Sequence, residues 1–291
     1  MKSGFVVLVG RSNVGKSTLL NTLVGTKIAA TSFRAQMTRS IIHGVIQDSE
    51  GQAIIVDTPG VLKGDKSQLT AKLFNKVKEA LQDIDVIVYV VDPTREIGAE
   101  ERTVMGLIRQ LPQPKFLVIN KTDLPERRRP YQADYERLAE DFTAVFSLSA
   151  EANRHITPLK KAIFAHLPEG EELYPPEQMT NISNQFWIAE IIREKVFSVL
   201  DKEIPYAATV EVESVEHKTL DDKRKKNKNL VVITAKILTS ADRYKRVIIG
   251  QHARRVKEIG QLARRELETA LNSPVYLDLT VSVDAHWVER V

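Results

Sequence analysis

Gly10 and Gly15 bracket four residues, and Lys16 and Ser17 follow the second glycine: Gly10-Arg11-Ser12-Asn13-Val14-Gly15-Lys16-Ser17. That pattern suits a phosphate chain. Glycines let the backbone wrap until successive N–H groups face one concave side. The lysine ammonium then reaches the outer phosphates, and the serine hydroxyl ligates Mg²⁺. An apolar run at 5–9 reads as the strand before the loop, and 17–24 as the helix after it. The N-terminus of such a helix adds a favourable dipole field for an anion. Residues 10–18, ending at Thr18, form the expected nucleotide cradle.

Two further motifs extend that cradle to a guanine nucleotide. Asp57-Thr58-Pro59-Gly60 follows the apolar residues 53–56. An aspartate at a strand end can hold Mg²⁺ through its water shell, and the Gly60 N–H can meet a γ-phosphate. Asn120-Lys121-Thr122-Asp123 follows the apolar residues 116–119. The Asp123 carboxylate can accept from the N1–H and N2 amino group of guanine, a donor pair that adenine lacks, which selects GTP over ATP. Lys121 can lay its stem over the base. Ser149-Ala150-Glu151, after a strand at 144–146, is expected to close over the base oxygen with a backbone N–H. Between the loop and Asp57, Thr38 is the expected switch threonine, with Thr31 in reserve, ordering with the γ-phosphate and releasing after hydrolysis. The expected Mg²⁺ set is Ser17, Thr38 and Asp57, and Lys16, Thr38 and Gly60 are the catalytic assignments.

These motifs need a scaffold that brings several strand ends together. Strands are expected at 5–9, 41–47, 53–56, 86–91, 116–119 and 144–146, with helices at 17–24, 68–82, 100–110, 131–140 and 156–166. Short apolar strands alternating with helices predict an α/β domain, a mostly parallel sheet with helices on both faces. Ligands in such sheets bind beyond the carboxyl ends of the strands, which is where the motifs fall. Residues 168–178, rich in proline and glutamate, read as a linker between a first domain at 1–167 and a second at 179–291.

The second domain reads as a small α+β module. Its elements are an amphipathic helix at 184–200, strands at 207–215 and 230–238 around a basic loop at 218–228, a basic helix at 254–271 and a last strand at 275–283. Between 243 and 265 there are eight Lys and Arg against one acid, Glu258. Net charge over the 291 residues is only +4, so the basic residues are concentrated rather than general. Such a patch fits nucleic acid. The chain has no cysteine, which excludes disulfides and thiolate chemistry. The six histidines show no metal-ligand spacing, and no residue stands out as a general base or covalent nucleophile. Because 5–9 already reads as the first strand, no leader is expected, and a cytoplasmic location is the expectation.

These motifs, one phosphate loop followed by residues 190–213 and by Val247-Ile248-Ile249-Gly250-Gln251-His252-Ala253-Arg254-Arg255, resemble the Era family of bacterial GTPases. The resemblance covers nearly the whole chain. It implies a P-loop GTPase domain followed by a KH domain, GTP/GDP and Mg²⁺ as ligands, and binding of small-subunit ribosomal RNA near its 3′ end. It implies a role in assembly of the small ribosomal subunit and peripheral association with the membrane. A monomer is expected. The RNA contacts it implies are Lys245, Arg246, Gly250, Gln251, His252, Ala253, Arg254, Arg255 and Lys257.

Several positions depart from the pattern. Ser12 stands where the family usually has proline, and Met37 replaces the first of two threonines, leaving Thr38. A KH domain grips about four nucleotides with a GxxG loop, and here the last glycine is Ala253. Val61 occupies the place where many small GTPases carry a water-orienting glutamine, so slow intrinsic turnover is expected. In related GTPases with an apolar residue there, an asparagine matching Asn13 helps hold K⁺, which makes K⁺ stimulation the expectation. Two alternatives stand beside the leading one: a nucleotide-gated RNA-binding checkpoint with negligible turnover, and a peripheral membrane GTPase.

Overall fold

The phosphate-loop strand lies at the centre of a six-stranded sheet in the computed structural model, which describes residues 1–31, 37–61, 68–201, 204–220 and 228–290. The chain divides into two units, Met1–Asn181 and Ile182–Val291.

In the first unit the elements run β1 (Lys2–Val9), α1 (Lys16–Val24), β2 (Ile42–Asp48), β3 (Gly51–Asp57), α2 (Gln68–Glu79), β4 (Val86–Val91), α3 (Ala99–Ile108), β5 (Lys115–Ile119), α4 (Gln132–Glu136), β6 (Ala144–Ser147) and α5 (Ile156–His166). Strand order is β2-β3-β1-β4-β5-β6. Only β2 runs antiparallel, as the hairpin partner of β3. Every residue of β3 and β4 is buried, as strands covered on both faces must be. One face packs Val7, Val9, Ile87, Tyr89 and Leu117 against Val77 of α2, Val104 and Ile108 of α3 and Tyr135 of α4. The other carries α1 and α5. Gly44 of β2 lets α1 approach, since a Cβ there would lie 2.5 Å from Leu20.

Two elements differ from the sequence expectation. The helix expected at 131–140 ends at Glu136 and continues as a 3₁₀ turn to Asp141. Tyr135 is its one buried residue, too little apolar face to hold a longer helix. The expected linker at 168–178 is bonded to the first unit. Pro168 accepts from Ser3 N–H, the Gln52 side chain bonds the backbone of Leu173 and Tyr174, and Met179 accepts from Val45 N–H. The Met179 contact covers the open edge of β2, where unpaired backbone groups otherwise invite association.

The second unit comprises α6 (Asn184–Val199), β7 (Ala208–Leu220), β8 (Lys228–Thr239), α7 (Asp242–Ile249), α8 (Arg254–Leu271) and β9 (Val275–Val283). Its sheet has the order β7-β8-β9, antiparallel then parallel. Ile188, Ile191, Ile192 and Val196 of α6 and Ile259, Ala263 and Leu267 of α8 pack on Val231, Ile233, Ala235 and Ile237 of β8. Trp187 packs on this core and Trp287 is buried. The basic loop expected at 218–228 falls largely on 221–227, outside the described residues.

Candidate functional site

The loop after β1 folds as its glycines require. Gly15 has φ 98°, and a Cβ there would lie 2.3 Å from Asn120 Nδ2. Asn13 also sits in the left-handed region, at φ 67°, which asparagine tolerates better than most residues. A cleft at the carboxyl ends of the strands is lined by Ser12, Asn13, Gly15, Lys16, Ser17, Thr18, Thr31, Thr38 and Gly60, among others.

Lys16 is only 5% exposed. Its Nζ donates to the carbonyls of Gly10 at 3.1 Å and Arg11 at 3.0 Å. Burial lowers its pKa to about 8 against the opposing pull of Asp57. Burial likewise raises Asp57 to about 6, with Lys16 and the hydroxyls of Ser17 and Thr38 pulling the other way. The three residues assigned to Mg²⁺ meet. Ser17 Oγ donates to Asp57 Oδ2 at 2.6 Å and lies 2.8 Å from Thr38 Oγ1, which is itself 3.5 Å from that carboxylate oxygen. Asp57 Oδ1 is buried with no hydrogen-bond partner among the described residues. Two hydroxyls and an orphaned carboxylate oxygen are a donor set that suits a hard cation completing its shell with water and phosphate.

Gly60 packs so closely on the loop that a Cβ would lie 2.4 Å from Ser12 Cα. Thr58 is turned inward and donates to the Leu8 carbonyl at 2.7 Å, and Pro59 is buried beside it. Val61 is 2% exposed in the core, its N–H donating to Gly10 O at 3.2 Å. Its side chain is therefore directed away from the cleft chemistry.

The base-side motifs are tied to the same loop. Asn120 Nδ2 donates to Val14 O at 2.8 Å, and its Oδ1 accepts from Ala150 N–H at 2.9 Å, so one amide spans both segments. Ser149 Oγ donates to Asp123 Oδ1 at 2.6 Å. Asp123 and Glu151 are exposed. Lys121, in the left-handed region at φ 61°, donates to Asn13 O at 3.0 Å and pairs with Asp92 at 2.6 Å. Burial opposes ionisation of Asp92, yet Lys121 and the Thr94 N–H hold its carboxyl below the usual range.

Sequence reasoning missed Asp92, although its place at the end of an apolar strand matches that of Asp57. The expected cradle includes Arg11, as one of the residues whose backbone N–H groups face the phosphates. The structure turns the Arg11 side chain out of the cleft into a buried pair with Glu101 at 2.6 Å, leaving only its backbone at the loop.

In the second unit the loop 250–253 joins α7 to α8. Gly250 has φ 72°. His252 at 51° and Ala253 at 59° are both left-handed, each costing about 1 kcal/mol more than glycine would. Arg246, Gln251, His252, Arg254 and Lys257 are exposed, whereas Lys245 and Arg255 are half-buried. Arg255 Nη1 bonds back to the Val247 carbonyl at 3.2 Å.

Comparison with known proteins agrees with this geometry. The 50S ribosome-binding GTPase family matches residues 5–121, and the KH domain family matches residues 203–288. A protein called GTPase Era from Thermoanaerobacter sp. (strain X514) is 39% identical over 287 residues, covering 98% of this chain and 92% of its own length. The GTPase Era of Halothermothrix orenii is 37% identical, covering 99% and 95%. Among solved structures, Era in complex with MgGDPNP and nucleotides 1506–1542 of 16S ribosomal RNA superposes with a TM-score of 0.88 at 35% identity, covering 100% of this chain and 96% of that one. A point variant of Aquifex aeolicus Era bound to GDP·AlF4⁻ matches equally well, with the same TM-score, identity and coverage. On identity, coverage, fold and domain order alike, the chain belongs to the Era family of GTPases.

Proposed function

We propose that this protein binds and hydrolyses GTP, and that its nucleotide state governs binding of small-subunit ribosomal RNA near the 3′ end during assembly of the small subunit. The observation that carries the reading is the convergence of Ser17, Thr38 and Asp57 beside Lys16, with the guanine-selecting residues tied to the same loop through Asn120. Its relative's complex with MgGDPNP and 16S ribosomal RNA supports the choice of ligands. No described helix is long and apolar enough to cross a membrane, and action in the cytoplasm is part of the proposal.

Ser17, Thr38 and Asp57 would hold Mg²⁺, which offsets phosphate charge when bound. Lys16 leaves its two carbonyl partners for the β- and γ-phosphates, and the Gly60 N–H meets the γ-phosphate. Asp123 accepts from guanine, oriented by Ser149, while Asn120 keeps loop and base segments in register. Water attacks in line, and the site stabilises charge rather than supplying a base.

The test is binding of an oligonucleotide matching the 3′ end of small-subunit ribosomal RNA, against a scrambled one, with GDP and with a non-hydrolysable GTP analogue. Tighter, sequence-selective binding with the analogue is expected, falling as salt rises. Ala253→Gly should tighten it further by relieving a left-handed alanine. Weak and unselective binding in both states would refute the coupling.

Because Val61 is committed to the core, no side chain at that position can orient the water. We expect K⁺ beside Asn13 to supply charge there, making hydrolysis at least several-fold faster in KCl than in NaCl. Asn13→Ala should remove the difference between the salts. Equal wild-type rates in the two salts would reject this role for Asn13.

A further inference from the structure

We infer that Ser12 touches the substrate: its hydroxyl donates a hydrogen bond to a γ-phosphoryl oxygen of GTP, a contact additional to that of the Gly60 N–H. The inference rests on the GTP-binding reading above. Ser12 is 5% exposed and lines the cleft together with Lys16, Thr38 and Gly60. Its Oγ is buried with no hydrogen-bond partner among the described residues. A hydroxyl in that condition has lost its water without gaining an acceptor, which a protein rarely tolerates outside a functional site.

The neighbours specify which acceptor is missing. Gly60 lies directly against this hydroxyl, since a Cβ there would sit 2.4 Å from Ser12 Oγ and 2.6 Å from Ser12 N. The residue that meets the γ-phosphate through its backbone therefore adjoins Ser12 Oγ. The Ser12 carbonyl accepts from Arg95 Nη1 at 3.4 Å, while the hydroxyl keeps an unused donor. Asp57 Oδ1, the orphaned oxygen of the carboxylate that accepts from Ser17, calls for a cation, whereas a hydroxyl proton calls for an acceptor, best an anionic one. A γ-phosphoryl oxygen satisfies it, and GDP has none to offer. Ser12 thus adds a side-chain contact that distinguishes triphosphate from diphosphate, on the side of the cleft where Val61 contributes none. Proline, the residue the family resemblance leads one to expect here, has no hydroxyl and could not make it.

The test uses the full-length protein with Mg²⁺ and compares wild type, Ser12→Ala, Ser12→Pro and Ser12→Thr. Affinities for fluorescent GDP and for a fluorescent non-hydrolysable GTP analogue are measured, together with thermal unfolding of the nucleotide-free protein. Loss of one charge-assisted hydrogen bond should weaken the analogue about tenfold in Ser12→Ala and Ser12→Pro, with GDP affinity within about twofold of wild type. Ser12→Thr should retain the preference. Nucleotide-free Ser12→Ala should unfold at the wild-type temperature or above, because it loses an unsatisfied buried hydroxyl. Equal weakening of both nucleotides, no change in either, or destabilised nucleotide-free Ser12→Ala would each overturn the inference. Wild-type protein that binds neither nucleotide would instead refute the reading beneath it, and this inference with it.

Discussion

Lys16→Ala is expected to lower single-turnover GTP hydrolysis by about 10²–10³-fold, the usual cost of removing one preorganised group that stabilises transition-state charge. The structure supplies the reason for so large an effect. Lys16 is buried to 5% exposure in a cleft, where an ammonium acts across a lower dielectric than it would at the surface. With a pKa of about 8 it remains mainly protonated at pH 7. Its two partners are neutral carbonyls, Gly10 O and Arg11 O, which hold the ammonium in place without neutralising it. The loss should fall on the chemical step as well as on binding, because charge builds on the γ-phosphate oxygens and bridging oxygen as the bond breaks. Asp57 should also change: without Lys16, burial is opposed only by the hydrogen bonds from Ser17, Thr38 and the Thr58 backbone, so its carboxyl moves further up. Lys16→Arg serves as the comparison, since it keeps the charge but replaces a compact ammonium with a planar guanidinium. Phosphate release from Lys16→Ala near the wild-type rate at saturating GTP would remove Lys16 from the catalytic role assigned to it.

Much of this architecture is legible in the chain, and the reason differs from element to element. β4 is apolar at every position and β3 from Ala53 to Val56, because both faces are covered, so these runs carry strand and burial together. Ser17 and Asp57 stand at a fixed offset from a glycine or a strand end, and the parallel topology brings those ends to one side, whereas Thr38 shared its expectation with Thr31 and only the structure sets its hydroxyl beside Ser17. What could not be read were pairings made by side chains distant in sequence. Nothing near Lys121 announces Asp92, and nothing near Arg11 announces Glu101; each pair exists only once β4, β5 and α3 are side by side. Composition marks the segment 168–178 as a linker but does not show that it lies against the first unit. Its order comes from partners elsewhere, Gln52 and the backbone of β1. Ala253 shows the limit from the other side: the chemistry of the residue is apparent from sequence, but that its φ is 59° is not.

Breaking the Arg11–Glu101 pair should cost more stability than any other charge removal proposed for this chain. Glu101→Ala is expected to destabilise the first unit by about 3–5 kcal/mol, measured by urea unfolding. The two side chains are 4% and 1% exposed, with Arg11 Nε 2.6 Å from Glu101 Oε1. Without Glu101 the guanidinium keeps one weak acceptor, the Glu96 carbonyl at 3.4 Å, and water has little access to it. The N-terminus of α3 suffers as well, because Glu101 Oε2 accepts from Gly98 N–H at 3.2 Å. Burial, the largest influence on both, pushes the Tyr89 and Tyr135 phenols up and persists without Glu101, so neither can supply a replacement negative charge. An apolar double replacement, Arg11→Met with Glu101→Leu, should recover much of the loss, since a buried pair can give way to apolar packing more cheaply than one partner can be left alone. That recovery separates two roles of Arg11. If the pair merely fills the space behind the loop, the double variant should regain stability and nucleotide affinity together. The structure favours a partial result, with stability recovered but affinity still reduced. Arg11 O is one of the two carbonyls that hold Lys16, and Arg11 pairs with Val61 beside Gly60. Its guanidinium therefore anchors a peptide unit on which both the cation and the γ-phosphate contact depend. Full recovery of both properties would reduce the pair to packing alone.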